Sequence, residues 1–300
     1  MSADLSGIVL LDKPLGLTSA AAVARLKRLF NARKAGHTGS LDPLASGFLG
    51  VCFGEATKFG AHLLDADKSY RVGVRLGERT ASGDLETEVC ERAPVPELSA
   101  AAVAASLASF PKEYDQMPPM HSALKQGGKP LYSYARAGIT LERVPRRISI
   151  YSMQLLEWAS PRLRFDVRCS KGTYIRVLAD DIALRLATIG HLVELRRLSV
   201  APFENSPMHT LEELENMDYA RRLEAVLPVD AALQNHARLE LTAAEAQDLR
   251  LGRNPRLAPQ AAGVVRIYGP NAEFLGLGEL EQTGRLVPQR LIAADPANRA

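Results

Sequence analysis

No apolar run in the 300-residue sequence approaches the roughly 20 residues that a membrane-spanning helix requires. A bilayer is therefore excluded as the expected home. The apolar stretch Gly7 to Leu11 follows no basic leader and ends in the turn-like Asp12-Lys13-Pro14, unlike an export signal, so the cytoplasm is the expectation. Cysteine is scarce. Cys52, Cys90 and Cys169 are odd in number, widely spaced and without a CxxC pair or an adjacent histidine, which argues against a disulfide framework and a zinc site. All three read as buried thiols. A nucleotide-hydrolysing phosphate cradle needs Gly-Lys-Ser or Gly-Lys-Thr, and Ser170-Lys171-Gly172-Thr173 reverses that order. His37, His62 and Cys52 make no recognised ligand spacing, so no metal is expected. Internal repeats and low-complexity tracts are also missing.

What the chain does contain is ordinary material for a globular protein, with 46% hydrophobic and 24% charged residues. Its length exceeds the usual single domain, which suggests one large unit and one small one. The net charge of +3 permits a polyanionic partner without demanding one.

Along the chain, Gly7 to Leu11 reads as a buried strand, and Thr18 or Ser19 caps a helix carrying Val23, Leu26 and Phe30. The segment from Gly36 to Gly47 is rich in Gly, Ser, Thr and Pro and reads as an irregular loop at the mouth of a strand, Phe48 to Phe53. Tyr70, Val72, Val74 and Leu76 alternate with polar residues as in a half-buried strand, and Ala100 to Leu107 reads as a helix. Pro111 to Arg147 is basic, loop-rich and carries Tyr132 and Tyr134. Ile148 to Trp158 and Leu163 to Cys169 form an expected hairpin. A helix follows from Thr173 to Ala187, stopping at Gly190 as its cap, then a strand from Leu192 to Val200. Capping boxes are expected at Thr210 with Glu213 and at Thr242 with Glu245, with a domain edge at Pro228. The remainder reads as a compact β-rich unit.

Asp42 sits in a loop where Gly36, Gly39 and Gly47 permit unusual backbone angles and Pro43 fixes the chain direction. Such a loop can aim one carboxylate, although an Asp that merely makes a turn would look the same. Locally, Arg176 reads equally as a surface helix cation, Tyr70 as core and His37 as a satisfied loop histidine. Lys13, Tyr174 and Leu195 read as a turn lysine, a helix-end aromatic and a core leucine.

In order along the chain, DKPLGLTS at 12–19, GHTGSLDPLASGFL at 36–49, KSYRVGVRLG at 68–77, PPMHSALKQGGKPLYSYAR at 118–136, CSKGTYIR at 169–176 and HLVELRRLSV at 191–200 resemble the bacterial tRNA pseudouridine-55 synthases, the TruB family. The resemblance spans essentially the whole chain. It implies isomerisation of a uridine in the tRNA T loop to pseudouridine, without cofactor, metal, guide RNA or obligatory protein partner, by a monomer. Breaking the bond from ribose to the uracil nitrogen and rejoining the base through carbon adds and removes no atoms, so one positioned carboxylate is the central need. By this resemblance Asp42 is that carboxylate, Arg176 stands beside it and favours its ionised form, and Tyr70 stacks on the target base. His37 contacts the nucleotides around the flipped uridine, and Lys13, Tyr174 and Leu195 line the pocket. Lys125, Lys129 and Arg136 belong to an RNA-clamping insertion at about 118–147. The segment RTASGDLETEV keeps Asp84 but follows the family pattern poorly, leaving its role open, and His121 stands where many relatives have tyrosine. The implied fold is α+β: a mixed-sheet catalytic domain over residues 1–232 and a small β-rich, PUA-like RNA-binding domain over 236–300.

Overall fold

The computed structural model describes residues 5–122, 124–258 and 261–293. The last residues of the expected C-terminal unit, 294–300, lie outside the described residues. The chain runs through β1 (Gly7–Lys13), α1 (Ser19–Leu29), β2 (Ala35–His37), β3 (Ala45–Phe53), α2 (Gly60–Leu64) and β4 (Lys68–Leu76). A small hairpin, β5 (Glu78–Thr80) and β6 (Val89–Arg92), precedes α3 (Ala100–Ala108) and β7 (Glu113–Gln116). Then come the two-residue strands β8 (Lys125–Gln126) and β9 (Lys129–Pro130), α4 (Leu131–Arg136), the long β10 (Arg146–Ala159), β11 (Arg162–Cys169), α5 (Ile175–Arg185) and β12 (Gly190–Val200). The chain ends through β13 (His209–Thr210), α6 (Leu211–Asn216), α7 (Tyr219–Glu224), β14 (Ala237–Glu240), α8 (Ala243–Arg250), β15 (Gly263–Tyr268), β16 (Phe274–Leu280) and β17 (Leu286–Leu291).

The main sheet is mixed, in the order β13-β1-β3-β12-β4-β11-β10-β7, with β2 also paired to β3. The pairs β1–β13 and β12–β3 are parallel and the other pairs are antiparallel. Because neighbouring side chains of a strand point to opposite faces, β1 sends Val9 and Leu11 into one cluster with Leu26, Phe30 and Phe53, and Ile8 and Leu10 into another with Phe48 and Phe203. That two-sided burial explains its unbroken apolar run. A third cluster packs α3 and α5 on the β4–β11–β10 region through Val72, Phe165, Leu107, Leu178 and Ile182. Gly47 is required where β3 meets β12: its φ is +96°, and a Cβ there would lie 2.1 Å from the Arg197 carbonyl oxygen.

Most elements expected from periodicity are present, and the departures have physical causes. The Gly36–Gly47 loop is shorter than expected, because Gly36 and His37 pair with Cys52 and Val51, and β3 already starts at Ala45. The α5 helix ends at Arg185, with Leu186 as its cap and a left-handed Ala187, φ 59°, just beyond, and not at Gly190. Gly190 instead opens β12, where a Cβ would crowd Ala183 Cβ at 2.8 Å. Thr18 is the cap of α1, accepting from the Ala21 N–H at 3.1 Å. Both expected capping boxes form. Cys52 and Cys169 are buried, but Cys90 is exposed because it lies on the small β5–β6 hairpin outside the main sheet. The ends of the basic insertion are sheet: Arg146 pairs with Gln116 and Ser149 with Glu113.

The C-terminal strands form a separate sheet, β14-β15-β16-β17, over a core that includes Leu239, Leu249, Ile267 and Leu286. It meets the main unit at Phe59, Leu233 and Leu277, with Phe59 edge-on to Phe274 at 5.5 Å. Lys58 Nζ also donates to the Leu291 carbonyl at 3.1 Å.

Candidate active site

The loop between β2 and β3 is held almost carbonyl by carbonyl. Arg197, buried on β12, donates from Nη2 to the Gly39 oxygen at 3.0 Å, from Nη1 to the Ser40 oxygen at 3.5 Å and from Nε to the Phe48 oxygen at 2.7 Å. The Ser19 hydroxyl donates to the Leu41 oxygen at 3.0 Å and accepts from the Leu41 N–H at 2.8 Å. The Asp42 oxygen accepts from the Ala45 N–H at 3.0 Å and the Pro43 oxygen from the Gly16 N–H at 2.7 Å. Main-chain groups in such a loop need partners, and here they find them on three other elements.

Asp42 projects from this frame with its side chain 53% exposed, 3.6 Å from Arg176 Nη2. Arg176 is the second residue of α5 and its side chain is only 11% exposed. It donates from Nη2 to the His121 oxygen at 2.6 Å and from Nη1 to the Ser82 oxygen at 3.0 Å. Its Nε lies 3.6 Å from the carboxylate of Asp84, which is buried. Asp84 in turn accepts from the Ser82 hydroxyl at 2.6 Å and from the Glu86 N–H at 2.9 Å. The guanidinium is thus tied to the β5–β6 connection and to the insertion at once.

Tyr70 stands on β4 opposite Arg197 of β12. Burial pushes its phenol above the ordinary value, the Arg197 cation opposing that rise, so the ring enters the site as a neutral aromatic with an O–H. Leu195 pairs with both Ala45 and Val72, at the centre of the sheet. Tyr174 caps the N-terminal end of α5 without using its own side chain. Gln116, buried at the end of β7, grips its peptide groups: Oε1 accepts from the Tyr174 N–H at 2.8 Å and Nε2 donates to the Tyr174 oxygen at 3.2 Å. Gln116 Nε2 also donates to the Tyr114 hydroxyl at 2.9 Å, which donates to Asp181 at 2.8 Å.

Asp42, Tyr70, Tyr174, Arg176 and Leu195 share one cavity of about 530 Å³, with Arg136 and Tyr132 of the insertion at its wall. That volume suits a small-molecule-sized group such as one nucleoside, and the walls mix apolar faces with a few polar groups, as ligand sites do. Among the described residues there is no cluster of His, Cys, Asp and Glu able to hold a metal.

Lys13 and His37 stand outside the cavity lining. Lys13 is fully buried and does not line the cavity; its Nζ donates to the Pro14 and Leu17 oxygens at 2.9 and 2.7 Å. Burial lowers its pKa, with Arg197 adding to the effect and Asp42 opposing it. Two of the three donors of the ammonium thus tie down the turn whose Gly16 N–H holds the Pro43 oxygen. His37 is exposed on β2, outside the cavity lining, and desolvation followed by the Arg197 charge lowers its pKa. Lys125 and Lys129 are exposed on the β8–β9 hairpin. Arg136 pairs with Glu86 at 3.2 Å and lies 5.4 Å over the Tyr132 ring.

Sequence reasoning passed over Gln116 and Arg197 and read Ser19 only as an alternative helix cap. A signal for Arg197 did exist: adjacent arginines on a strand face opposite ways, so the pair cannot share one solvent face. Arg196 takes the outer role, in a bidentate pair with Asp12 at 2.9 and 2.6 Å.

Comparison with known proteins gives these features a context. Residues 27–175 match the family model described as TruB family pseudouridylate synthase (N terminal domain). Residues 176–234 match the tRNA pseudouridylate synthase B C-terminal domain, and 237–292 match pseudouridine synthase II TruB, C-terminal. The tRNA pseudouridine synthase B of Sodalis glossinidius is 48% identical over 299 residues, covering 97% of this chain and 96% of the relative. That of Chromohalobacter salexigens is 46% identical over 291 residues, covering 96% and 94%. Among solved structures, a chain from the crystal structure of a Cbf5-Nop10-Gar1 complex superposes with a TM-score of 0.72 at 25% identity, covering 96% of this chain and 84% of that one.

Proposed function

The chain belongs to the TruB family of pseudouridylate synthases, and on that premise we propose that it isomerises the uridine at position 55 in the T loop of tRNA, with Asp42 as the catalytic carboxylate. The observation that carries this reading is the meeting of Asp42, Arg176 and Tyr70 at one nucleoside-sized cavity. The target uridine is flipped into the cavity, where the Tyr70 ring offers a stacking face and Leu195 an apolar wall. Asp42 starts the reaction as nucleophile or base, the bond from ribose C1′ to uracil N1 breaks, the base turns within the cavity and C1′ bonds to C5; C5 then gives up its proton, N1 takes one up, and Asp42 returns to its free carboxylate. The detached base retains every atom it needs, so the walls must confine it and no cofactor is consumed. Arg176 holds the carboxylate by charge, and its own direction is set by Ser82, His121 and Asp84.

The catalytic domain in this reading comprises residues 1–232, and residues 236–300 form a PUA-like RNA-binding domain. A sheet and core of their own support the latter division. Lys125, Lys129 and Arg136 clamp RNA phosphates, while His37 contacts nucleotides beside the flipped base from outside the cavity. The protein acts as a cytoplasmic monomer without guide RNA; among the described residues no helix is long and apolar enough to cross a membrane.

The test is to incubate the protein alone with an unmodified tRNA transcript and map pseudouridine by base-specific chemistry, beside Asp42→Asn. Wild type should modify the T loop, and the variant should bind tRNA within about threefold while losing the reaction, since the amide keeps shape without nucleophilicity. No product from wild type, or a strict need for an added guide RNA, would overturn the reading.

A further inference from the structure

We propose that Ser19 is a positioning residue for Asp42, clamping the main chain of Leu41 and so setting the direction in which the carboxylate enters the cavity. The inference rests on the reading of Asp42 as the catalytic group. Asp42 is half exposed, and its ion pair with Arg176 spans 3.6 Å, beyond hydrogen-bond distance. Its aim must therefore come largely from its main chain. The Ser19 hydroxyl takes both hydrogen-bonding groups of the preceding residue, the Leu41 N–H at 2.8 Å and the Leu41 oxygen at 3.0 Å. Two bonds to one residue fix both its position and its rotation, a stronger constraint than either alone.

Ser19 has no competing duty at the start of α1. The capping role belongs to Thr18, whose hydroxyl accepts from the Ala21 N–H. Ser19 is 3% exposed, so water has little room to replace its hydroxyl. On the other side of Asp42, the Gly16 N–H holds the Pro43 oxygen at 2.7 Å, and Lys13 staples the intervening turn through the Leu17 oxygen. The DKPLGLTS segment, which contributes no side chain to the cavity wall, thus acts as a cradle gripping the residues before and after the carboxylate. Misplacing a reacting group by about 1 Å can cost about 100-fold in rate.

The experiment compares Ser19→Ala, Thr18→Ala, Asp42→Asn and wild type, all as full chains, for single-turnover pseudouridine formation and affinity on one unmodified tRNA transcript. Ser19→Ala should slow the reaction by about 10- to 100-fold with affinity within about threefold. Thr18→Ala weakens the same helix end but leaves Leu41 clamped, so its rate should stay near wild type. Ser19→Cys fills the space with a poor hydrogen-bonding group and should show a smaller loss of the same kind, which serves if the alanine variant does not fold. A folded Ser19→Ala or Ser19→Cys protein at full rate would overturn the proposal. So would an equal loss in Thr18→Ala, or a loss confined to affinity. An inactive wild type would remove the reading of the reaction as well, whereas an active wild type with an unimpaired Ser19→Ala would sink this inference alone.

Discussion

Arg176 faces Asp42 across 3.6 Å while its Nη2 is already committed to the His121 oxygen at 2.6 Å. The cation is therefore held by main-chain carbonyls and only then presented to the carboxylate. Such an arrangement keeps the carboxylate free of a tight bidentate pair, which would occupy the oxygens needed for chemistry.

Arg176→Lys should lower the single-turnover rate by at least about tenfold while tRNA affinity changes by less than about threefold. A lysine ammonium cannot reproduce the planar fork that reaches Ser82, His121 and both carboxylates together. Rates and dissociation constants measured on the same transcript decide it, and a lysine variant with full activity would mean that charge alone suffices.

Asp84 is the buried side of the same arrangement. Asp84→Ala leaves a mostly buried guanidinium with one fewer partner and empties the acceptor used by the Ser82 hydroxyl, so thermal denaturation should show a loss of about 3 kcal/mol. Asp84→Asn keeps an acceptor for Ser82 and should lose less. Equal melting temperatures for all three proteins would show that Asp84 contributes nothing to the frame.

Gln116→Leu should reduce the reaction rate more than tRNA affinity. Leucine fills the volume but leaves the Tyr174 N–H without its side-chain acceptor and the Tyr114 hydroxyl without its donor, loosening the start of α5 where Arg176 resides. A loss of affinity as large as the loss of rate would place Gln116 in RNA binding instead.

Neutralising Lys125, Lys129 and Arg136 together should weaken tRNA binding and flatten its dependence on salt, because each lost phosphate contact releases about one counterion fewer. Binding titrations across a range of salt concentrations provide the slope. An unchanged slope would remove these exposed residues from the RNA interface.

His62 and His236 meet edge to face at 5.4 Å near the junction of the two sheets. Desolvation lowers both below the ordinary 6.5, His62 further through the charge of His236 and His236 through Arg266, while Asp65 opposes the shift at His62. Between 6.5 and these lowered values the unfolded chain binds more protons than the folded one. The stability contributed by the neutral pair is therefore complete above pH 6.5 and declines as pH falls through that window. Melting temperatures of wild type and a His62→Phe, His236→Phe double variant, measured on both sides of that pH, should converge in pH dependence only if other groups dominate.

Short-range patterns carried much of this protein. Alternation marked β4 and β11, a Thr with a Glu three residues on marked α6 and α8, and the density of Gly, Ser and Pro around Asp42 marked the loop that presents it. These features depend on neighbours in the chain, so composition and spacing reveal them. The frame around the carboxylate depends on partners far apart: Ser19 reaches Leu41 across 22 positions, Gln116 reaches Tyr174 across 58 and Arg197 reaches Gly39 across 158. Nothing local distinguishes a serine that caps a helix from one that clamps a loop, or a lysine facing a pocket from Lys13 donating to its own turn. Those assignments were made only when the sheet order brought β3, β12 and β4 side by side, since a buried polar group takes whichever partners the packing leaves within hydrogen-bond reach.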